Sequence, residues 1–118
     1  MKYSLPAALL TSALALFGGT PVIGRQLEQH PPTFEAQTAH TIPELSACIS
    51  DKLGRFDGAV NYVPRPDGGA LNFLIGGSPF MSVRMIDQGT TRQVTTFGPY
   101  SINKKVNRRR TDAVRSCV

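Results

Sequence analysis

Residues 59–97, AVNYVPRPDGGALNFLIGGSPFMSVRMIDQGTTRQVTTF, decide the fold. The stretch reads as four short strands divided by turn signals. Ala59–Val63 is followed by Arg65-Pro66-Asp67-Gly68-Gly69, where proline fixes φ and glycine accepts a positive one. Over 70–75, Leu71, Phe73 and Ile75 fall on one face and Asn72 on the other, the period of a half-buried strand. Gly76-Gly77-Ser78-Pro79 breaks that strand, and Met81, Val83 and Met85 then alternate with Ser82 and Arg84. Asp87-Gln88-Gly89-Thr90 reads as the next hairpin turn, ahead of a Thr- and Val-rich strand over 91–97. Consecutive short strands joined by tight turns imply an antiparallel meander.

Upstream of the strands the period becomes helical. Thr41 is an N-cap candidate, Glu44 stands at the capping-box spacing, and Pro43 in the first turn lacks only an N–H that would be unpaired anyway. Ile42, Leu45, Ile49 and Leu53 recur on one stripe with Cys48 beside them, which predicts a helix over 42–53 with Gly54 as a left-handed stop. Downstream, Gly98-Pro99 ends the last strand, and Thr111 or Asp112 would cap a short final helix carrying Val114 and Cys117. The expected class is α+β in two layers. The N-terminal helix and the short C-terminal helix pack on one face of a four-stranded antiparallel meander, held by one disulfide.

The first residues give an address. Lys2 is followed by an uncharged run from Leu5 to Phe17, rich in Ala and Leu and shorter than the roughly 20 apolar residues of a membrane span. Gly18-Gly19-Thr20-Pro21 breaks the run, and Val22 and Gly24 suit a signal-peptidase site. Residues 1–24 therefore read as a signal peptide, with an exported, periplasmic or extracellular product. Residues 25–40, with Pro31-Pro32 and isolated Leu27 and Phe34, read as a flexible tether, leaving 41–118 as a single small domain.

A domain of that size buries a modest core and benefits from a covalent staple. The chain has only two cysteines, Cys48 and Cys117, both beyond the apolar run. In an exported protein that count favours one intramolecular bridge over free thiols or a bond between chains. A disulfide also removes both thiols from nucleophilic or redox chemistry.

The remaining inventory argues against catalysis. His30 and His40 both fall in the tether, away from any rigid element. Glu28 and Glu35 fall there too, Glu44 is explained by capping, and Asp57, Asp67 and Asp87 sit beside or near turn glycines, where local hydrogen bonding favours them. Gly76-Gly77-Ser78 lacks the lysine and the following helix of a phosphate loop. No metal-ligand spacing or cofactor motif is present, so neither metal nor cofactor is expected.

One feature carries functional content. The formal net charge is +5, and the densest run of charge is Lys104, Lys105, Arg108, Arg109, Arg110 and Arg115, set against Asp112 alone. Clustered cations attract phosphates, anionic lipid head groups and acidic polymers, although such runs also serve solubility alone. Tyr100 is the nearest aromatic, and no aromatic–basic alternation suggests stacking on bases, so nucleic acid is disfavoured. The expected function is a small non-enzymatic protein of the cell envelope. It would bind an anionic envelope polymer, lipid head groups or an acidic protein through its basic C-terminal segment. The alternative is an inhibitor or immunity-type protein that blocks an extracytoplasmic hydrolase with a rigid loop, Arg65–Gly69 or Gly76–Pro79.

Overall fold

The computed structural model describes residues 25–118, so the expected signal peptide lies outside the described residues. After a 3-10 turn at Arg25–Gln29 come β1 (Phe34–Thr38), α1 (Ile42–Leu53), β2 (Ala59–Arg65), β3 (Gly68–Ile75), β4 (Ser78–Asp87), β5 (Arg92–Phe97) and α2 (Lys104–Arg115). The strands form one antiparallel sheet in the order β1-β5-β4-β3-β2. Among the described residues the fold is α+β with two α-helices and one disulfide, and the sheet has five strands.

The extra strand corrects the reading of residues 25–40 as a flexible tether and the count of four strands. Phe34–Thr38 pairs with β5 over its whole length, Phe34 opposite Thr96 and Thr38 opposite Arg92. Phe34, Ala36 and Thr38 are half-buried while Glu35 and Gln37 are exposed, a period of two that polar composition and the neighbouring prolines mask. Thr33 adds two anchors: its N–H donates to the Thr96 carbonyl at 2.8 Å and its Oγ1 to the Gly98 carbonyl at 2.6 Å. β2–β5 form the expected meander, and β1 closes its far edge beside β5.

α1 forms as its sequence dictates. The Thr41 side chain accepts from the Glu44 N–H, and Glu44 Oε1 accepts from the Thr41 N–H at 2.8 Å, completing the capping box. Gly54 is not left-handed: it keeps a right-handed helical conformation (φ −65°), and its N–H donates to the Ser50 carbonyl. Leu45, Ile49 and Leu53 are fully buried. They meet one face of the sheet, where Leu71 faces Val83, Phe73 faces Met81 and Met85 faces Val94 across the strands. Val114 and Cys117 join the same core, so both helices cover this face. The S–S bond links Cys48 of α1 to Cys117 just beyond α2, closing a separation of 69 residues.

The final helix starts seven residues before the earlier of the two expected caps. Asn103 is the N-cap, with its Oδ1 accepting from the Val106 N–H at 3.2 Å, and the basic run is itself the helix. The inner stripe is masked in the sequence because Arg110 belongs to it. Val106, Arg110 and Ala113 are half-buried beside buried Val114. Gly98, at φ 83°, turns the chain out of β5 into a cis Gly98–Pro99 bond, where a Cβ would come 2.8 Å from the Phe80 carbonyl oxygen. That turn lays Pro99–Ser101 against α2.

Candidate functional site

The six basic residues singled out in the sequence do not act alike once α2 is formed. Arg110 points inward: its guanidinium carbon lies 4.6 Å from the ring centre of Phe56, 5.4 Å from that of Phe80 and 5.8 Å from that of Phe73. Its Nε is buried without a hydrogen-bond partner. Burial, with Arg109 close by, lowers the Arg110 pKa against the opposing pull of Asp57. Arg110 packs against the aromatic rings beneath the helix. Arg115 pairs with Asp112 at 2.6 Å and lies 5.0 Å from the Phe34 ring centre, which fixes it between helix and sheet edge.

Lys104, Lys105, Arg108 and Arg109 remain, all exposed and none in an ion pair among the described residues. The contrast with the rest of the domain is clear-cut. Arg55 pairs with Asp51, Arg65 with Glu28, Arg84 with Glu28 and Asp67, and Arg92 with Asp87. Uncompensated positive charge is thus concentrated on α2, with Lys52 of α1 the exception, bonded to the neutral Ser116 hydroxyl. Lys104 and Lys105 stand in its first turn, which holds no acidic residue. There the helix dipole is positive and disfavours cations, typically by about 0.3–1 kcal/mol each. These residues are placed against the stability of their own helix.

Beside them runs a groove of about 640 Å³ between α2 and the Pro99–Ser101 turn. Lys104, Arg108 and Arg115 line its helical wall, at spacings that repeat along one face. Asn107 ties the two walls together: its Nδ2 donates to the Ser101 carbonyl at 2.8 Å, and its Oδ1 accepts from Ser101 Oγ at 2.8 Å. Tyr100, 43% exposed, donates its hydroxyl to the Pro31 carbonyl at 2.6 Å and lies 5.2 Å from the His30 ring. Burial raises the Tyr100 pKa against a weaker opposing backbone hydrogen bond, so the phenol keeps its proton.

A second polar cluster lies on the sheet face opposite the helices, and sequence reasoning missed it. Glu28, from the 3-10 turn, accepts from Arg65 Nη1 at 3.1 Å and Nη2 at 2.6 Å, and from Arg84 Nη1 at 3.3 Å. Arg84 also donates to Asp67 at 2.7 Å. The Arg65 side chain is only 4% exposed and that of Glu28 16%. Burial pushes the Glu28 carboxyl up, but hydrogen bonds and charge from Arg65 and Arg84 outweigh it and hold the group below its ordinary value of 4.5. The hydrogen bond from Arg84 likewise lowers the Asp67 pKa. Two carboxylates therefore flank the cleft of about 540 Å³ at this end of the sheet. Both are held ionised and tied to guanidinium groups, whereas acid–base work on a glycoside needs one carboxyl raised and protonated. The sole hint in the sequence was the alternation that sets Arg84 between inward Val83 and Met85, and so on the opposite face of its strand.

His30 lies against Tyr100 with the rings tilted by 54°, and His40 lies at the exposed turn between β1 and α1, its N–H donating to Thr38 Oγ1. The two are not brought together with other ligands, and no cluster of three potential metal ligands occurs among the described residues. Cys48 and Cys117 are both in the disulfide. No helix among the described residues is long and apolar enough to cross a membrane. No protein-family profile, curated protein or solved structure matches the chain.

Proposed function

We propose that this protein is a non-catalytic binding module of the cell envelope that engages an anionic partner through the outer face of α2. The observation that carries the reading is the segregation of charge. Arg55, just past α1, and the arginines of the sheet are neutralised in place, while Lys104, Lys105, Arg108 and Arg109 are outside any ion pair on one rigid element. Anionic groups docking there would gain charge-assisted hydrogen bonds and relieve repulsion among the cations. The Cys48–Cys117 bond holds the helix end to the core, so the surface is presented preorganised, which lowers the ordering cost of binding. Export through the 1–24 leader would place this surface among envelope polyanions, where nucleic acid is scarce.

The reading is tested by co-sedimentation with isolated envelope fractions, comparing the parent with a variant in which Lys104, Lys105, Arg108 and Arg109 are all changed to Gln. The parent is expected to sediment at low salt and to be released by raising it, and the variant to stay in solution. Equal retention of the two proteins would contradict the reading.

A further inference from the structure

We infer that the groove between α2 and the Pro99–Ser101 turn binds an acidic saccharide, a ligand that carries hydroxyl groups together with a carboxylate or phosphate. The inference rests on the anion-binding reading of α2 and names the class of ligand.

The argument comes from where the hydroxyl protons go. Thr33 Oγ1 donates to the Gly98 carbonyl, Thr111 Oγ1 to the Asn107 carbonyl at 2.9 Å and the Tyr100 hydroxyl to the Pro31 carbonyl. A carbonyl oxygen can only accept, so the direction of these bonds is fixed. Asn107 is oriented by its Nδ2 bond to the Ser101 carbonyl, which makes its Oδ1 the acceptor and Ser101 Oγ the donor. All four hydroxyls that line the groove are therefore committed as donors to the protein and offer only lone pairs to a ligand.

Lys104 and Arg108 are the groove cations outside any ion pair, while Arg115 gives one N–H to Asp112 and keeps its other donors. Asp112 also lines the groove, at the end away from Lys104, where Arg115 offsets its charge and its remaining lone pairs accept hydrogen bonds. The groove thus has polarity: unpaired cations at the start of the helix, hydroxyl lone pairs along the floor, and the mutually neutralised Arg115–Asp112 pair toward its end. A bare polyanion satisfies the first part and meets unmatched lone pairs in the second. An acidic sugar satisfies both, since its hydroxyls donate to the floor while its acid group faces Lys104 and Arg108. The half-exposed Tyr100 ring adds an apolar surface for the C–H face of a sugar ring. The volume lies within the range of small-ligand sites.

Calorimetry and amide NMR titrations of the purified protein with three probes test the inference: an oligogalacturonate, a polyphosphate of matched charge and a neutral maltooligosaccharide. The oligogalacturonate is expected to bind about tenfold tighter than polyphosphate at equal ionic strength, the equivalent of one or two net hydrogen bonds. It should shift the amide signals of Tyr100, Ser101 and Thr111, and maltooligosaccharide should leave them in place. Lys104→Gln with Arg108→Gln, both exposed positions, should abolish the binding, and Ser101→Ala should weaken oligogalacturonate without changing polyphosphate. Polyphosphate binding as tightly as oligogalacturonate, or preferential sedimentation with phosphatidylglycerol vesicles, would overturn the saccharide assignment and leave the anion-binding reading standing. Failure of every anionic probe to bind would overturn both.

Discussion

Among the basic residues of α2, Arg110 does the work of a core side chain. Its flat guanidinium lies among Phe56, Phe73 and Phe80, and its stem crosses the apolar layer between helix and sheet. Arg110→Ala is expected to destabilise the domain by about 1–2 kcal/mol through lost packing and cation–π attraction, read as a lower midpoint in urea. Arg109→Ala, one residue away and exposed, should leave the midpoint nearly unchanged. Glu28 is the second residue whose role its sequence position hides. Replacing it with Gln leaves Arg65 buried with a weakened partner and should cost about 2–3 kcal/mol, less than a fully buried pair because Arg84 and solvent share the charge. Its pH signature follows from the direction of the shift. A carboxyl held below 4.5 in the folded state stabilises the protein above that pH, and the contribution is lost as pH falls through the lowered value. Acid unfolding of the parent should therefore show a loss of stability below about pH 4.5 that is reduced in Glu28→Gln.

At the scale of elements, α1, β3 and β4 are legible because apolar residues alone mark their inner positions, and β2 and β5 because turn residues bound them. α1 shows its stripe in Ile42, Leu45, Ile49 and Leu53, and β3 in Leu71 and Phe73. β1 and the first two turns of α2 are not legible for the opposite reason. The inward residues of β1 are Phe34, Ala36 and Thr38, too mixed to stand out beside Pro31-Pro32, and the inner stripe of α2 passes through Arg110. Of the basic surface, position in sequence marked the segment but could not separate the four free cations from Arg110 and Arg115, since that depends on which face meets the sheet. The α2 N-terminus carries its own prediction. Lys104→Glu with Lys105→Glu should stabilise the helix by about 0.3–1 kcal/mol per site by matching the helix dipole, raising the thermal midpoint. The same change should remove binding to anions. A gain in stability coupled to loss of binding marks residues retained for contact and not for folding.

For the whole molecule, one covalent link connects the best-formed helix to the end of the cationic one. The Cys48–Cys117 bond closes a loop for which chain entropy gives roughly 4 kcal/mol, a large share of the stability of a small domain. Reduction, or Cys48→Ser with Cys117→Ser, is expected to lower stability by about 2–5 kcal/mol and to loosen α2 first, visible as faster amide exchange over residues 104–115. Binding to anions should weaken in step, because the same cations would then be displayed on a mobile segment. The central claim is that the free cations of α2 form the binding surface, and the salt dependence of affinity tests it most directly. Affinity for a defined acidic polymer should fall linearly with salt on a log–log plot, and the slope should drop by roughly one unit for each contacting cation removed in the Lys104, Lys105, Arg108 and Arg109 to Gln series. An unchanged slope across that series would contradict the account.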